Sequence, residues 1–190
     1  MKVGREKIGP LRAQLSHNLW DNEGNTFMRN PMPYDVTLHQ VASRPLAAAQ
    51  ARVKPQTLVP AIRPLFDEVY KYLNEAGVKE RGLNVIVYWN EAGRNLLDSE
   101  EGLLMEAGVE VEAALPQEGV VHAAATPAGR VASAVHVGPY DQMGKAHDAV
   151  RAWCAEQGHT LAGPNWEVYG HWNDDPQQLR TEVFYLLSNS

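Results

Sequence analysis

Two stretches of this 190-residue chain align with each other without a gap. One, "VYKYLNEAGVKERGLNVIVY", starts at Val69; the other, "VRAWCAEQGHTLAGPNWEVY", starts at Val150, an offset of 81 positions. Val69 falls on Val150, Tyr72 on Trp153, Glu75 on Glu156 and Gly77 on Gly158. Gly82 falls on Gly163, Asn84 on Asn165, Val87 on Val168 and Tyr88 on Tyr169. A helix, a glycine stop and a strand are therefore written twice. A chain duplicated in this way is expected to fold as two like modules rather than as one irregular domain.

The flanking pattern extends the repeat. "VTLHQVASRPLAAAQARV" reads as two short strands broken at Arg44-Pro45. Leu58, Ile62, Leu65, Phe66, Val69 and Leu73 recur at three- and four-residue spacing, which makes one helical face. Prolines 60 and 64 belong in that helix's entry or first turn, so it is expected from about Pro60 or Pro64 to Ala76, with Gly77 as its stop. "LNVIVYW" is a strand, a polar loop runs from Asn90 to about Glu106, and "GVEVEAAL" alternates like a half-exposed strand. "VHAAATPAGRVASAVHV" reads as two more strands with a turn at residues 127–129. A second helix follows Gly138-Pro139, with Asp141 as its N-cap and an apolar face of Met143, Ala146, Val150, Trp153 and Cys154. "GPNWEVYGHWN" and "TEVFYLL" close the chain as strands. The order strand-strand-helix-strand-strand thus occurs twice, about 34–116 and about 120–188. Residues 1–33 stand outside it as an amino-terminal extension, basic at its start and then turn-rich, a linker or a docking arm.

At the offset of the repeat, Glu167 falls on Ile86. Strand alternation puts Glu167 on the same face as Tyr169, with Trp166 and Val168 on the other. An Ile/Tyr face under a helix is expected to turn inward. Glu167 is then an acid among aromatics, beside the junction of the two halves. A buried carboxylate without partners costs several kcal/mol even after relaxation. Glu167 is therefore either open to water, matched by an internal donor such as Arg180, or kept for a ligand.

The other residues narrow the function. Net charge is −6, which argues against direct binding of a nucleic-acid backbone. There is one cysteine, Cys154, so neither an intrachain disulfide nor a cysteine-based zinc site can form, and its place on an apolar helix face marks it as core. None of the seven histidines makes a helical pair with metal-ligand spacing, so no metal and no cofactor is expected. Phosphate-cradling and nucleophile-elbow motifs are missing. No apolar run is long enough to cross a membrane, and the first residues lack a secretory core, which reads as a cytoplasmic protein.

Residues 130–188 resemble the GyrI-like small-molecule-binding family, the module that also forms the effector-binding part of some AraC-type and MerR-type regulators. The resemblance is carried by "HVGPY" before the second helix, a Trp inside it, "GP-x-x-E-x-Y" after it, the "NDDP" turn and "TEVFYLL". It is looser over 34–125, where "VYWN" and the element order carry it. The resemblance implies an α+β fold of two tandem strand-strand-helix-strand-strand modules, of the SHS2-like kind. They would be related by pseudo-twofold symmetry, with an antiparallel sheet, two main helices and a pocket between the halves. It implies that Glu167 meets cationic, hydrophobic ligands, with Tyr169 and Tyr140 as its aromatic partners. Tyr88 and Trp89 enter as weaker wall residues from the related strand, and alternation allows only one of them to face inward. A standalone binding protein that sequesters or senses such a ligand follows. The alternatives are a hydrolase of strained, cyclopropane-bearing toxins with Glu167 as base, and an effector domain or an inhibitor of a target such as gyrase. A one-component transcription factor is not expected, because 34 residues are too few for a DNA-binding domain. The reading leaves homodimerisation open.

Overall fold

The computed structural model describes residues 34–189; the expected extension, 1–33, lies outside the described residues. The strands are β1 (Val36–Val41), β2 (Pro45–Val53), β3 (Asn84–Trp89), β4 (Leu103–Glu110), β5 (His122–Ala125), β6 (Gly129–Val137), β7 (Leu161–Tyr169) and β8 (Arg180–Leu187). The helices are α1 (Leu58–Glu75) and α2 (Gly144–Glu156). All strands join one antiparallel sheet in the order β1-β6-β8-β7-β3-β4-β2-β5. Renaming β5–β8 as β1–β4, and the reverse, gives the same order read from the other end. The α+β fold of two modules about a pseudo-twofold axis is thus present.

The axis passes through the β3–β7 pair, where Ile86 stands directly opposite Glu167. Its flanking pairs, Asn84 with Tyr169 and Tyr88 with Asn165, exchange under the symmetry. Ile86 and Glu167 are the same position of the repeat. An unaltered duplication would therefore set two like side chains against each other, and two carboxylates there would repel.

The first strand of each module is exchanged. β1 does not pair with β2 but with β6, and β5 pairs with β2 rather than β6. The turns that precede β2 and β6 meet: Arg44 N–H donates to Thr126 Oγ1 at 2.9 Å and Thr126 N–H to the Arg44 carbonyl at 3.0 Å.

α1 lies over β2 and β4, α2 over β6 and β8. Each buries the same repeat positions: Val69 and Leu73 in α1, Val150 and Cys154 in α2, all at most 1% exposed. A fully buried Leu or Val contributes about 1.5–3 kcal/mol, so these stripes fix the helices on the sheet. The glycine stops adopt the left-handed conformation a helix end needs, Gly77 at φ 69° and Gly158 at φ 72°. The closing bonds match as well: Val78 N–H to the Leu73 carbonyl, and His159 N–H to the Cys154 carbonyl. The other face of the sheet holds Leu46, Val85, Val87, Val131, Trp166 and Phe184, with Trp166 stacked on Phe184 at 5.1 Å.

Three boundaries differ from expectation. α1 begins at Leu58, so Pro60 sits in its first turn but Pro64 lies inside it. Pro64 has no N–H to give the Pro60 carbonyl, and the buried stripe beyond it holds the helix nonetheless. β4 is Leu103–Glu110, upstream of the expected "GVEVEAAL". "LLME" is helix-forming by propensity, but β2 and β3 pair with it on both sides and override that preference. Asp141 does not cap α2: a 3₁₀ turn, Tyr140–Gln142, comes first, and Met143 precedes Gly144 without a side-chain cap.

Candidate functional site

β7 sets the site by alternation. Trp166 and Val168 join the apolar cluster on the helix-free face. That turns Asn165, Glu167 and Tyr169 toward the helices. Glu167 is 3% exposed, beside Ile86 and Tyr88 of β3. From α1, Ile62, Leu65 and Phe66 pack on the cluster that contains Ile86, Tyr88 and Tyr169.

The carboxylate is fully partnered. Oε2 accepts from the Tyr88 hydroxyl at 3.1 Å and from the Tyr169 hydroxyl at 2.5 Å. Oε1 lies 2.8 Å from His147 Nε2 on α2. His147 Nδ1 is 2.9 Å from the Tyr185 hydroxyl on β8, and Arg151 Nη1 reaches the same hydroxyl at 3.5 Å. Arg151 also pairs with Asp148 at the surface. A chain of polar groups therefore runs from the pseudo-axis to solvent. Arg180, the internal donor considered from sequence, is half-exposed and pairs with Glu182 at 3.1 Å.

The phenols record their burial first and the neighbouring carboxylate second. Burial, and then the Glu167 carboxylate, hold Tyr88 and Tyr169 well above the ordinary phenol range. Tyr185 is pushed up to about 12, by burial first, with Arg151 pulling the other way. Tyr140 is raised by burial. Its ring meets Tyr169 edge-on at 5.4 Å, and at 39% exposure it is the outermost ring of the set. Thr181, opposite Tyr169 in the β7–β8 register, is wholly buried, and its hydroxyl has no partner among the described residues.

Of the residues singled out from sequence, Glu167, Tyr169, Tyr88 and Tyr140 are thus brought together. Trp89 is not. It points to the opposite face, where its Nε1–H donates to Glu106 Oε2 at 2.6 Å, because Tyr88 has taken the inward direction. A broad, shallow depression of about 780 Å³ opens beside Glu106 and His122, on the opposite face of the sheet from Glu167. Among the described residues, no three His, Cys, Asp or Glu side chains gather to hold a metal.

Sequence reasoning passed over His147 and Tyr185. The signal for His147 was present in the repeat: carried one turn upstream, the same register sets His147 on Phe66. The first module is apolar at both places, Phe66 and Ile86, and the second is polar at both, His147 and Glu167. Tyr185 carried no such mark, because the loop before β8 is shorter than the loop before β4 and the register is lost there.

Residues 34–187 match the sequence profile described as the GyrI-like small molecule binding domain. The chain belongs to the GyrI-like family. Solved structures agree on the fold. The EcmrR C-terminal domain superposes with a TM-score of 0.63 at 20% identity, over 84% of this chain and 100% of that one. SAV2435, solved bound to tetraphenylphosphonium, gives 0.58 at 12% identity over 82% and 94%. A hydrolase encoded by lin2189 from Listeria innocua gives 0.53 at 11% identity over 84% and 94%. Against the EcmrR chain of an EcmrR–DNA complex, this chain spans 60% of that chain's length. No match was found among curated protein sequences. None of the helices among the described residues is long and apolar enough to cross a membrane.

Proposed function

We propose that this GyrI-like domain binds planar or bulky lipophilic cations over Glu167, for sequestration or sensing. The observation that carries the reading is a carboxylate 3% exposed on the pseudo-axis, ringed by tyrosines from β3, β7 and the turn before α2. Aromatic faces attract cations by about 0.5–2 kcal/mol each. A cation arriving over the carboxylate adds a charge pair where solvent screening is weak. Such a site selects charge sign and apolar area more than detailed shape, so a broad ligand range follows. Tyr140, the exposed ring, would swing aside to admit the ligand, and the Thr181 hydroxyl offers a polar contact. The tetraphenylphosphonium held by SAV2435 belongs to this chemical class.

The test is binding of a permanently charged dye and of a neutral analogue of similar shape to the wild-type and Glu167→Gln proteins. The variant should lose cation affinity and keep the neutral compound. Equal dye affinity in the two proteins would remove the electrostatic part of the reading.

The Glu167–His147 contact favours a second reading, a hydrolase of strained electrophiles. Glu167 would deprotonate a water for attack on the activated carbon, and a tyrosine hydroxyl would hydrogen-bond the group that gains charge. Mass spectrometry after incubation with a cyclopropane-bearing electrophile separates the two: water added for a hydrolase, ligand unchanged for a binder.

A further inference from the structure

His147 contacts the carboxylate without being an expected part of an aromatic cation pocket, and its hydrogen bonds admit two charge states. Glu167, when ionised, only accepts, so the facing nitrogen, Nε2, carries a proton. The other nitrogen, Nδ1, faces a tyrosine hydroxyl, which both donates and accepts. A neutral imidazole protonated at Nε2 accepts from Tyr185 at Nδ1. An imidazolium donates to Tyr185 there. Both states keep each ring nitrogen hydrogen-bonded, so the ring can gain or lose a proton without breaking its own contacts; in the imidazolium state the Tyr185 hydroxyl accepts from both His147 and Arg151.

The surroundings define what that proton balances. Glu167 faces the ring from β7 at 2.8 Å. From β8 comes Tyr185, with Arg151 on its far side opposing a second positive charge and Asp148 compensating Arg151. Tyr88 and Tyr169 donate to Glu167 on its other oxygen, and Tyr140 meets Tyr169 edge-on. With the imidazolium present, the Glu167–His147 pair is neutral. A ligand cation added to that pair would leave one uncompensated positive charge in a water-poor site.

We propose that His147 is the specificity-determining residue of the Glu167 site: its imidazolium is the resident counter-ion of the carboxylate, and a cationic ligand takes over that role as one proton leaves His147 for solvent. The inference rests on the reading of Glu167 as the cation-binding group. The exchange balances: one cation enters, one proton is released, and the site stays neutral. Imidazole changes charge near neutral pH. Affinity for a permanent cation therefore rises with pH while His147 is charged in the free protein, by at most about tenfold per pH unit, and levels off above that range. A neutral ligand shows no such dependence. The first module carries neither half of the pair: Phe66 and Ile86 stand at the positions of His147 and Glu167.

The experiment is calorimetric titration of tetraphenylphosphonium between pH 5.5 and 8, in buffers of different ionisation enthalpy, against wild type, His147→Gln and Glu167→Gln. The Gln side chain keeps an amide donor for Glu167 but cannot titrate. Wild type should gain about tenfold or more in affinity across the range and release up to one proton per ligand at low pH. The His147→Gln protein should change by less than about twofold and release none. In wild type alone, the His147 ring proton resonance should show its titration moved to lower pH by the ligand, a readout that does not need the variant to fold. PH-independent wild-type binding without proton release overturns the inference, as does full pH dependence in His147→Gln. Either result leaves the Glu167 reading standing if Glu167→Gln still weakens binding. Undiminished binding by Glu167→Gln overturns the Glu167 reading itself.

Discussion

Replacing Glu167 by the residue that stands across the axis from it, Glu167→Ile, tests whether the polar network is one coupled unit. Three donors lose their acceptor: the Tyr88 and Tyr169 hydroxyls and His147 Nε2. At about 1–3 kcal/mol for a buried donor left unsatisfied, the gross loss is at most about 3–9 kcal/mol, because Tyr88 is buried but Tyr169 and His147 are only partly so and water can reach them. Burying an aliphatic side chain returns about 1.5–3 kcal/mol. The net cost centres on about 4 kcal/mol, within a span of about 0–7.5 kcal/mol, a large share of the roughly 5–15 kcal/mol that holds an ordinary domain folded. His147→Phe places the first module's residue on α2 in the same way. In that background the His147 donor is no longer there to be orphaned. Glu167→Ile should then cost less than it does alone, by about 1.5–3 kcal/mol, the worth of one hydrogen bond to a charged group. Urea unfolding of the four proteins, followed by tryptophan fluorescence at matched m-values, gives the cycle. Costs that add within about 0.5 kcal/mol would refute the coupling, since independent sites behave that way.

Three further outcomes follow from the same geometry. Tyr88 and Tyr169 have folded pKa values raised above the phenol value that the unfolded chain restores, so the unfolded chain loses these protons first. Their contribution to stability is therefore complete below about pH 10 and is lost as pH rises through the folded values; ultraviolet titration should show them ionising late, and earlier in Glu167→Gln. Gly163→Ala should destabilise far more than Gly158→Ala, because at φ 118° a Cβ on Gly163 would stand 2.4 Å from the Asn90 carbonyl oxygen, whereas one on Gly158 meets nothing within 4 Å and costs only the left-handed strain of about 1–2 kcal/mol; chemical denaturation of both variants measures the gap. Cys154 is 1% exposed with its thiol pushed up to about 11 by burial, so iodoacetamide at pH 8 should alkylate the native protein on the order of 100-fold more slowly than the urea-unfolded chain, read by mass spectrometry.

The sequence by itself determined the duplication, both helices and their glycine stops, and the face on which Glu167 stands. These are local or periodic properties. A stripe at three- and four-residue spacing can be satisfied only by a helix on a core, and alternation fixes that burying Trp166 turns Glu167 the other way. The equivalence of Tyr88 with Tyr169, and of Ile86 with Glu167, was equally readable, because the register of a repeat survives in the order of its residues; that the two strands lie side by side was not. The tertiary structure alone decided which strands exchange between modules, since β1 and β6 meet through hydrogen bonds between residues far apart in the chain that no local pattern encodes. It decided the bounds of β4, where two neighbouring strands outweigh helical propensity. It also decided how the buried acid is balanced. The strand places the carboxylate, but His147 and Tyr185 come from α2 and β8, and only the packing of that helix over that strand brings their nitrogen and oxygen atoms within hydrogen-bonding reach of one another and of Glu167.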